Sequence, residues 1–230
     1  MISAEVIATR IKWGVLALPV AGLIGILGTA LLGPIVDPTV DPQTFSEQSL
    51  SASYAWSTLL LSVANVLWLF GFFALYAYLA SSRAERWALA AMIINVVATA
   101  FTIGSLAVEE VATRLVGQAF LEGRQDIYEV LTPLSTLTPT AVLAIVATFS
   151  GTVVGNILLA IAIWRSGILP QGSAILIAGS AVLFGANFLS VWIAVLTYVL
   201  NTLGFGWIAL SILRQPAVEV AGEGAGARVR

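Results

Sequence analysis

The stretch SGILPQGSAILIAGSAVLFGANFLSVWIAVLTYVLNTLGFGWIALSIL, Ser166 to Leu213, contains no Asp, Glu, Lys or Arg. A membrane-crossing helix needs roughly 20 apolar residues, so this run has room for two crossings. GANFLS is the only plausible turn within it. The reading is therefore a short span over about Ser173–Phe188 and a second over about Val191–Leu213. A soluble domain usually carries about 25% charged residues, whereas this chain of 230 residues carries 10%, with 59% hydrophobic residues and a mean hydropathy of +0.99. So few charges leave a soluble fold unable to cover its surface. The expectation is a polytopic, all-α membrane protein.

Working outward, four more apolar runs fit spans over about residues 13–32, 54–80, 87–108 and 138–164. Arg10 and Lys12 precede the first run as they would in a signal peptide. That run reaches from Trp13 to about Ile35, well beyond a signal core of about 7–15 residues, and it reads as an uncleaved span. Trp13, Tyr54, Trp56, Trp87 and Trp164 fall near span ends, where aromatic side chains anchor at the membrane interface. The expected architecture is a bundle of six transmembrane helices with short outer interfacial helices.

Charge placement gives the orientation. Arg10, Lys12, Arg83, Arg86, Arg165, Arg214, Arg228 and Arg230 fall on one side of such a bundle. Only Arg114 and Arg124 fall on the other, together with Asp37, Asp41, Glu47, Glu109, Glu110, Glu122, Asp126 and Glu129. Basic residues collect on the cytoplasmic side, so an even number of spans puts both termini in the cytoplasm of a multi-pass protein of the cell membrane. Residues 214–230, rich in Gly and Ala without apolar periodicity, read as a disordered cytoplasmic tail. VDPTVDPQTFSEQSLSAS, with its repeated Asp-Pro, reads as turns. TRLVGQAFLEGRQDIYEVLTP, broken at Gly123, reads as two short helices on the outer surface.

Absent residue types exclude several chemistries. The chain has no Cys and no His, and Lys12 is its only lysine. Disulfides, thiolate zinc sites and haem or copper held by His or Cys are ruled out, as are Ser–His and Cys–His nucleophilic catalysis. A retinal Schiff base needs a lysine deep in the bundle, and Lys12 lies at the edge of the first span. No cofactor, no metal and no enzymatic activity are expected, and nothing suggests nucleic-acid binding.

Within the spans, polar residues line up at helical spacing. Asn95, Thr99, Thr102, Leu106 and Glu109 step by four, three, four and three, which makes one stripe on the third span. At 1.5 Å per residue, Glu109 lies at or just beyond the outer boundary, where it would guard an outer mouth. Glu110 points aside and has Arg114 one turn on, in the favourable acid-before-base order. Asn65, Trp68, Phe72 and Tyr76 align on the second span. Thr148, Gly151, Thr152, Gly155 and Asn156 align on the fourth, and Thr197, Tyr198, Asn201 and Gly204 on the sixth. Two readings of these faces stay open. In one, the amides and hydroxyls bond between helices while Gly151-x-x-x-Gly155 and the Gly22, Gly25, Gly28 series allow close packing. In the other, Asn65, Asn95, Asn156 and Asn201 converge on a cavity lined by Trp68 and Tyr198, mostly apolar with a few polar contacts, suited to a lipid, a quinone-like molecule or another amphiphile. Proton or ion transport finds little support, because no acid, base or histidine lies inside a span to relay charge.

The piece AIAIWRSGILPQGSAILIAGSAVL, with Arg165-Ser166-Gly167 and Pro170 between two apolar runs, resembles a helix–R-S-G-x-L-P–helix element of uncharacterised bacterial multi-span membrane proteins of the domain-of-unknown-function type. LFGFFALYAYLASSRAERWALAAMIINVV is similar in style to the same group. Gln171 stands where those proteins usually carry a basic residue. The resemblance implies a tight cytoplasmic turn between two spans and brings no activity or site residues with it. The leading expectation is a non-enzymatic accessory subunit or a holder of a lipid or other apolar ligand. The alternative is a facilitator or transporter of a small solute, with Glu109 at its mouth. Expected companions are membrane lipids, an apolar small molecule, and partner chains of a membrane complex or further copies of the chain itself.

Overall fold

A computed structural model describes residues 4–124, 126–128 and 139–215. Among these residues there are seven α-helices and no strand: α1 (Ala4–Leu32), α2 (Pro42–Leu50), α3 (Ala52–Leu79), α4 (Glu85–Leu121), α5 (Pro139–Ser166), α6 (Gln171–Phe184) and α7 (Val191–Leu213), with one 3-10 turn at Asn187–Leu189. Five of them (α1, α3, α4, α5 and α7) are long and apolar enough to cross a membrane. The sixth apolar helix, α6, has 14 residues and a length of about 21 Å, short of a hydrocarbon core about 30 Å thick.

Six helices close into a ring, each packed on its neighbours in the order α1, α3, α4, α5, α6, α7 and back to α1. Large apolar side chains cover the outside. Trp13, Phe70, Leu203 and Trp192 are more than half exposed, as expected of a surface meant for lipid and costly for one facing water. Glycines set the close approaches inside. A methyl group at Gly151 would meet Ala98 and one at Gly155 would meet the Asn95 amide, so α5 packs on α4 at these two positions. On α1, Gly22 faces Thr202, Gly25 faces the Tyr198 ring and Gly28 faces Leu61.

One end of the ring is stitched by the basic residues. Lys12 donates to the carbonyl of Gln215 at 2.6 Å, and Tyr78 donates to the Gln215 side chain at 2.7 Å. Arg83 Nε donates to the carbonyl of Arg165, whose guanidinium lies 5.2 Å over the Trp87 ring. These bonds hold the N-terminal part of α1 and the adjoining ends of α3, α4, α5 and α7 together. They also fix Gln215, the second residue of the segment read as a disordered tail, next to Arg214, whose N–H still bonds the Leu210 carbonyl. The remainder of that tail lies outside the described residues. Above this end sits the hydrophobic core, in which Leu18, Leu75, Leu79, Ile163, Ile177, Phe205, Ile208 and Ile212 are all but inaccessible.

At the opposite end the structure departs from the sequence reading in two places. The segment read as turns contains α2, whose first turn is capped by Asp41 accepting from Thr44 N at 3.0 Å and begun by Pro42. Proline suits that first position because its missing N–H would be unpaired there anyway. The second departure is α4, which does not stop near Val108 but continues unbroken to Leu121. Its 37 residues reach about 55 Å, so its last turns rise beyond a 30 Å core. The first of the two expected surface helices is this extension. Gly123, at φ +101, ends it in a conformation that favours glycine. Most of the second expected helix lies outside the described residues. α2 packs on the extension, with Ser46 and Ser49 against Gly117.

Candidate functional site

Helical periodicity decides which side chains meet at the ring axis. Eight of the residues singled out from the sequence line a single internal chamber: Asn65 and Trp68 of α3, Asn95, Thr99 and Thr102 of α4, Asn156 of α5, and Tyr198 and Asn201 of α7. Phe72, Thr152, Thr197, Phe184 and Phe205 complete the wall. The first three of these lie on the stripes legible in the sequence. Phe184 and Phe205 do not, because an isolated phenylalanine in an apolar run carries no sign of which way it faces. Among the described residues no acid or base lines the chamber.

Glu109, the ninth residue, does not line the chamber. Its step along the stripe is right for the face, but seven residues beyond Thr102 it stands about 10 Å farther along the axis. There α4 has risen to the level of Tyr54 at the start of α3, and Glu109 is exposed. Periodicity fixes an angle around a helix and leaves depth to where the neighbouring helices end. Glu110 makes the expected pair with Arg114 at 3.9 Å, a surface contact worth at most about 1 kcal/mol.

Within the chamber the polar groups divide into those already bonded and those left over. Asn65 and Asn95 donate to the carbonyls of Leu61 and Ala91 one turn back, at 2.8 and 3.0 Å. Thr102 donates in the same way to Ala98 at 2.9 Å. Asn201 Oδ1 lies 2.8 Å from Ser180 Oγ of α6, and Thr197 Oγ1 lies 2.9 Å from Asn187 Oδ1. These last two bonds tie α7 to α6 and to the turn between them. Trp68 stacks on Tyr198, with ring centroids 5.5 Å apart and planes at 10°. Four buried side-chain atoms have no partner among the described residues; Ser57 Oγ and Thr148 Oγ1 lie outside the chamber, and the indole N–H of Trp68 and the amide oxygen Asn156 Oδ1 belong to residues that line it. A buried polar group left unbonded costs about 1–3 kcal/mol. A donor and an acceptor at one cavity are thus left open to a partner beyond the described residues.

The room open to the centres of water molecules is about 40 Å³. Since one water needs about 10–15 Å³ on this measure, the chamber holds a few waters or the polar head of a ligand. Pockets that engulf a drug-sized molecule run to about 300–1,000 Å³. The floor is closed toward the basic end. Phe72 and Phe205 meet edge to face at 6.3 Å, and the core of Leu18, Leu75, Ile163 and Ile208 lies beneath them. Toward the opposite end the buried residues are more polar and include Thr29, Ser57 and Thr58. Among the described residues no three acidic side chains gather into a set that would hold a metal ion.

No family model matches the chain, and neither a curated protein nor a solved structure is similar to it.

Proposed function

We propose that this chain is an integral protein of the cell membrane, crossing it six times with both termini in the cytoplasm, and that its chamber is a non-enzymatic binding site. The ligand is an uncharged amphiphile whose polar head both accepts and donates hydrogen bonds. The observation that carries this reading is the pairing of the unanswered Trp68 N–H with the unanswered Asn156 carbonyl inside one uncharged, aromatic-walled chamber. An ion would meet no compensating charge there, at a depth where uncompensated charge is expensive. A continuous path for a solute is disfavoured by the packed apolar floor, which argues for holding a ligand rather than passing one through. A body larger than the chamber is accommodated between helices, against the phenylalanine side chains.

The test is gentle purification followed by native mass spectrometry and an absorbance scan for co-purifying small molecules. A ligand that stays with the wild type and is lost from Trp68→Phe and from Asn156→Leu supports the reading, provided both variants fold. If both variants keep the same bound species as the wild type, or the wild type carries nothing and takes up no uncharged amphiphile offered in excess, the chamber is not a ligand site.

A further inference from the structure

A second feature lies at the basic end, away from the chamber. Arg83 comes after α3 and Arg165 closes α5, and the turn between α5 and α6 brings them together. Gly167 makes that approach workable. Its φ of +70 disfavours a side chain, and a methyl group there would lie 3.4 Å from Arg83 Nη2. Arg83 spends its Nε on the Arg165 carbonyl and its terminal amino groups make no hydrogen bond or ion pair with the described residues, and Arg165 is steadied by the Trp87 ring. Two grooves share Arg83. One, of about 370 Å³, is walled by Arg83, Trp164, Arg165 and Gln171, and the other, of about 540 Å³, runs over Ser82 and Gly167. Neither arginine has a carboxylate within 4 Å among the described residues, and Glu85, exposed nearby in the first turn of α4, pairs with neither. Trp164 is 48% exposed beside them.

From this we infer that the Arg83–Arg165 groove binds a phosphate group, supplied by the headgroup of an anionic lipid. Guanidinium forks suit phosphate oxygens, and basic pockets between helices on the cytoplasmic side are where acidic headgroups settle. A half-exposed tryptophan at that level marks the interface at which a headgroup lies. One arginine would be enough to complement the end of α5. Two pre-positioned guanidiniums without a carboxylate partner leave charge to be answered from outside.

The experiment uses the full chain in detergent and follows lipid adducts by native mass spectrometry. Phosphatidylglycerol should be retained over phosphatidylcholine, by about fivefold for each arginine engaged. The double variant Arg83→Gln/Arg165→Gln should bring the two lipids level, whereas Arg10→Gln, a charge at the same end, should leave the preference intact. Inorganic phosphate in a parallel arm separates the sources. If it displaces the lipid, the groove takes the phosphate group itself; if it does not, the lipid's glycerol and chains against Trp164 are part of the site. Should the double variant fail to fold, salt answers for the wild type, because about 0.5 M should cut the preference sharply. Equal retention of the two lipids by the wild type, a preference that survives the double substitution or high salt, or one lost equally in Arg10→Gln, overturns the assignment.

Discussion

Gly25 of α1 lies under the ring of Tyr198, so closely that a single methyl group would overlap it. Tyr198 in turn is stacked on Trp68 and lines the chamber, so relieving the overlap would disturb the stack or fill the chamber. Gly25→Ala should therefore destabilise the bundle by about 1–3 kcal/mol, the usual cost of overpacking, and shift the Trp68 environment. Thermal unfolding in detergent and tryptophan fluorescence measure the two effects, and an unchanged melting point would show that the stack is loose. Trp68→Phe separates chamber chemistry from packing. Without a ligand, removing an unbonded indole N–H relieves a burial cost of about 1–3 kcal/mol, which offsets some of the lost ring area. The variant should melt close to the wild type while losing its bound molecule, and a large loss of stability with the ligand retained would make Trp68 a packing residue alone. At this scale the sequence is informative because angle around a helix is encoded in spacing. Asn95, Thr99 and Thr102 have to share a face, and so do Tyr198 and Asn201. Glu109 shows the limit, since the same spacing that places it on that face cannot tell how far α4 stands above its neighbours.

Two Asp-Pro pairs lie four residues apart, yet they build different elements. At Asp37-Pro38 the carboxylate bonds Thr39 through its hydroxyl at 2.6 Å and its N–H at 2.8 Å, and the chain turns. At Asp41-Pro42 the same kind of side chain caps α2, because the next residues, QTFSEQSL, hold no further Pro or Gly to break a helix. Repetition alone makes both pairs look like turns; the cap with proline at the first helical position is the sign that distinguishes the second as a helix start. Both carboxyls are held below the ordinary aspartate range, chiefly by hydrogen bonds from the side chains of Thr39 and Thr44 and then from their backbone N–H groups. A depressed folded-state pKa contributes stability that is present above the unfolded value of about 3.9 and is lost as pH falls through the folded value. Hydrogen exchange at the Thr39 and Thr44 amides should stay slow at neutral pH and lose protection below about pH 4, while α3 and α7 stay protected. Protection that persists at lower pH, or that is equally lost in the spans, would sink this account. α4 teaches the complementary lesson. Apolar content ends near Val108, and a hydropathy argument stops there, but helix formation needs only the backbone ladder and a face to pack on. α2 supplies that face at Gly117.

At the scale of the molecule the open question is α6, and the ring constrains it. α5 ends at Ser166 among the stitched basic residues, whereas α7 starts at Val191, its full length away from Gln215 at that same end. The intervening chain must therefore travel from one end of the ring to the other. α6 provides about 21 Å of that path as α-helix; residues 185–190 provide the rest as a connection that includes the 3-10 turn Asn187–Leu189. Irregular backbone is tolerated at membrane depth only where protein buries it or where its polar groups find partners. Here the N–H of Ala186 bonds the Leu183 carbonyl at 2.9 Å, the N–H of Leu189 bonds that of Ala186 at 3.0 Å, and Asn187 Oδ1 accepts from Thr197. Ser190 then caps α7 by accepting from Trp192 N at 3.2 Å, with the Trp192 ring 75% exposed at the level of an interface. The segment is thus bonded along the path that it continues from α6 to α7. Because the chain has no cysteine, single substitutions report sidedness without background. Gln171→Cys and Glu85→Cys should react with a membrane-impermeant maleimide only after intact cells are permeabilised, whereas Leu189→Cys and Val40→Cys should react from outside. Labelling of Gln171→Cys and Leu189→Cys from the same side would make α6 a re-entrant segment, and the ring would then have to place α7 the other way up, contrary to the bonds that Lys12 and Tyr78 make to Gln215.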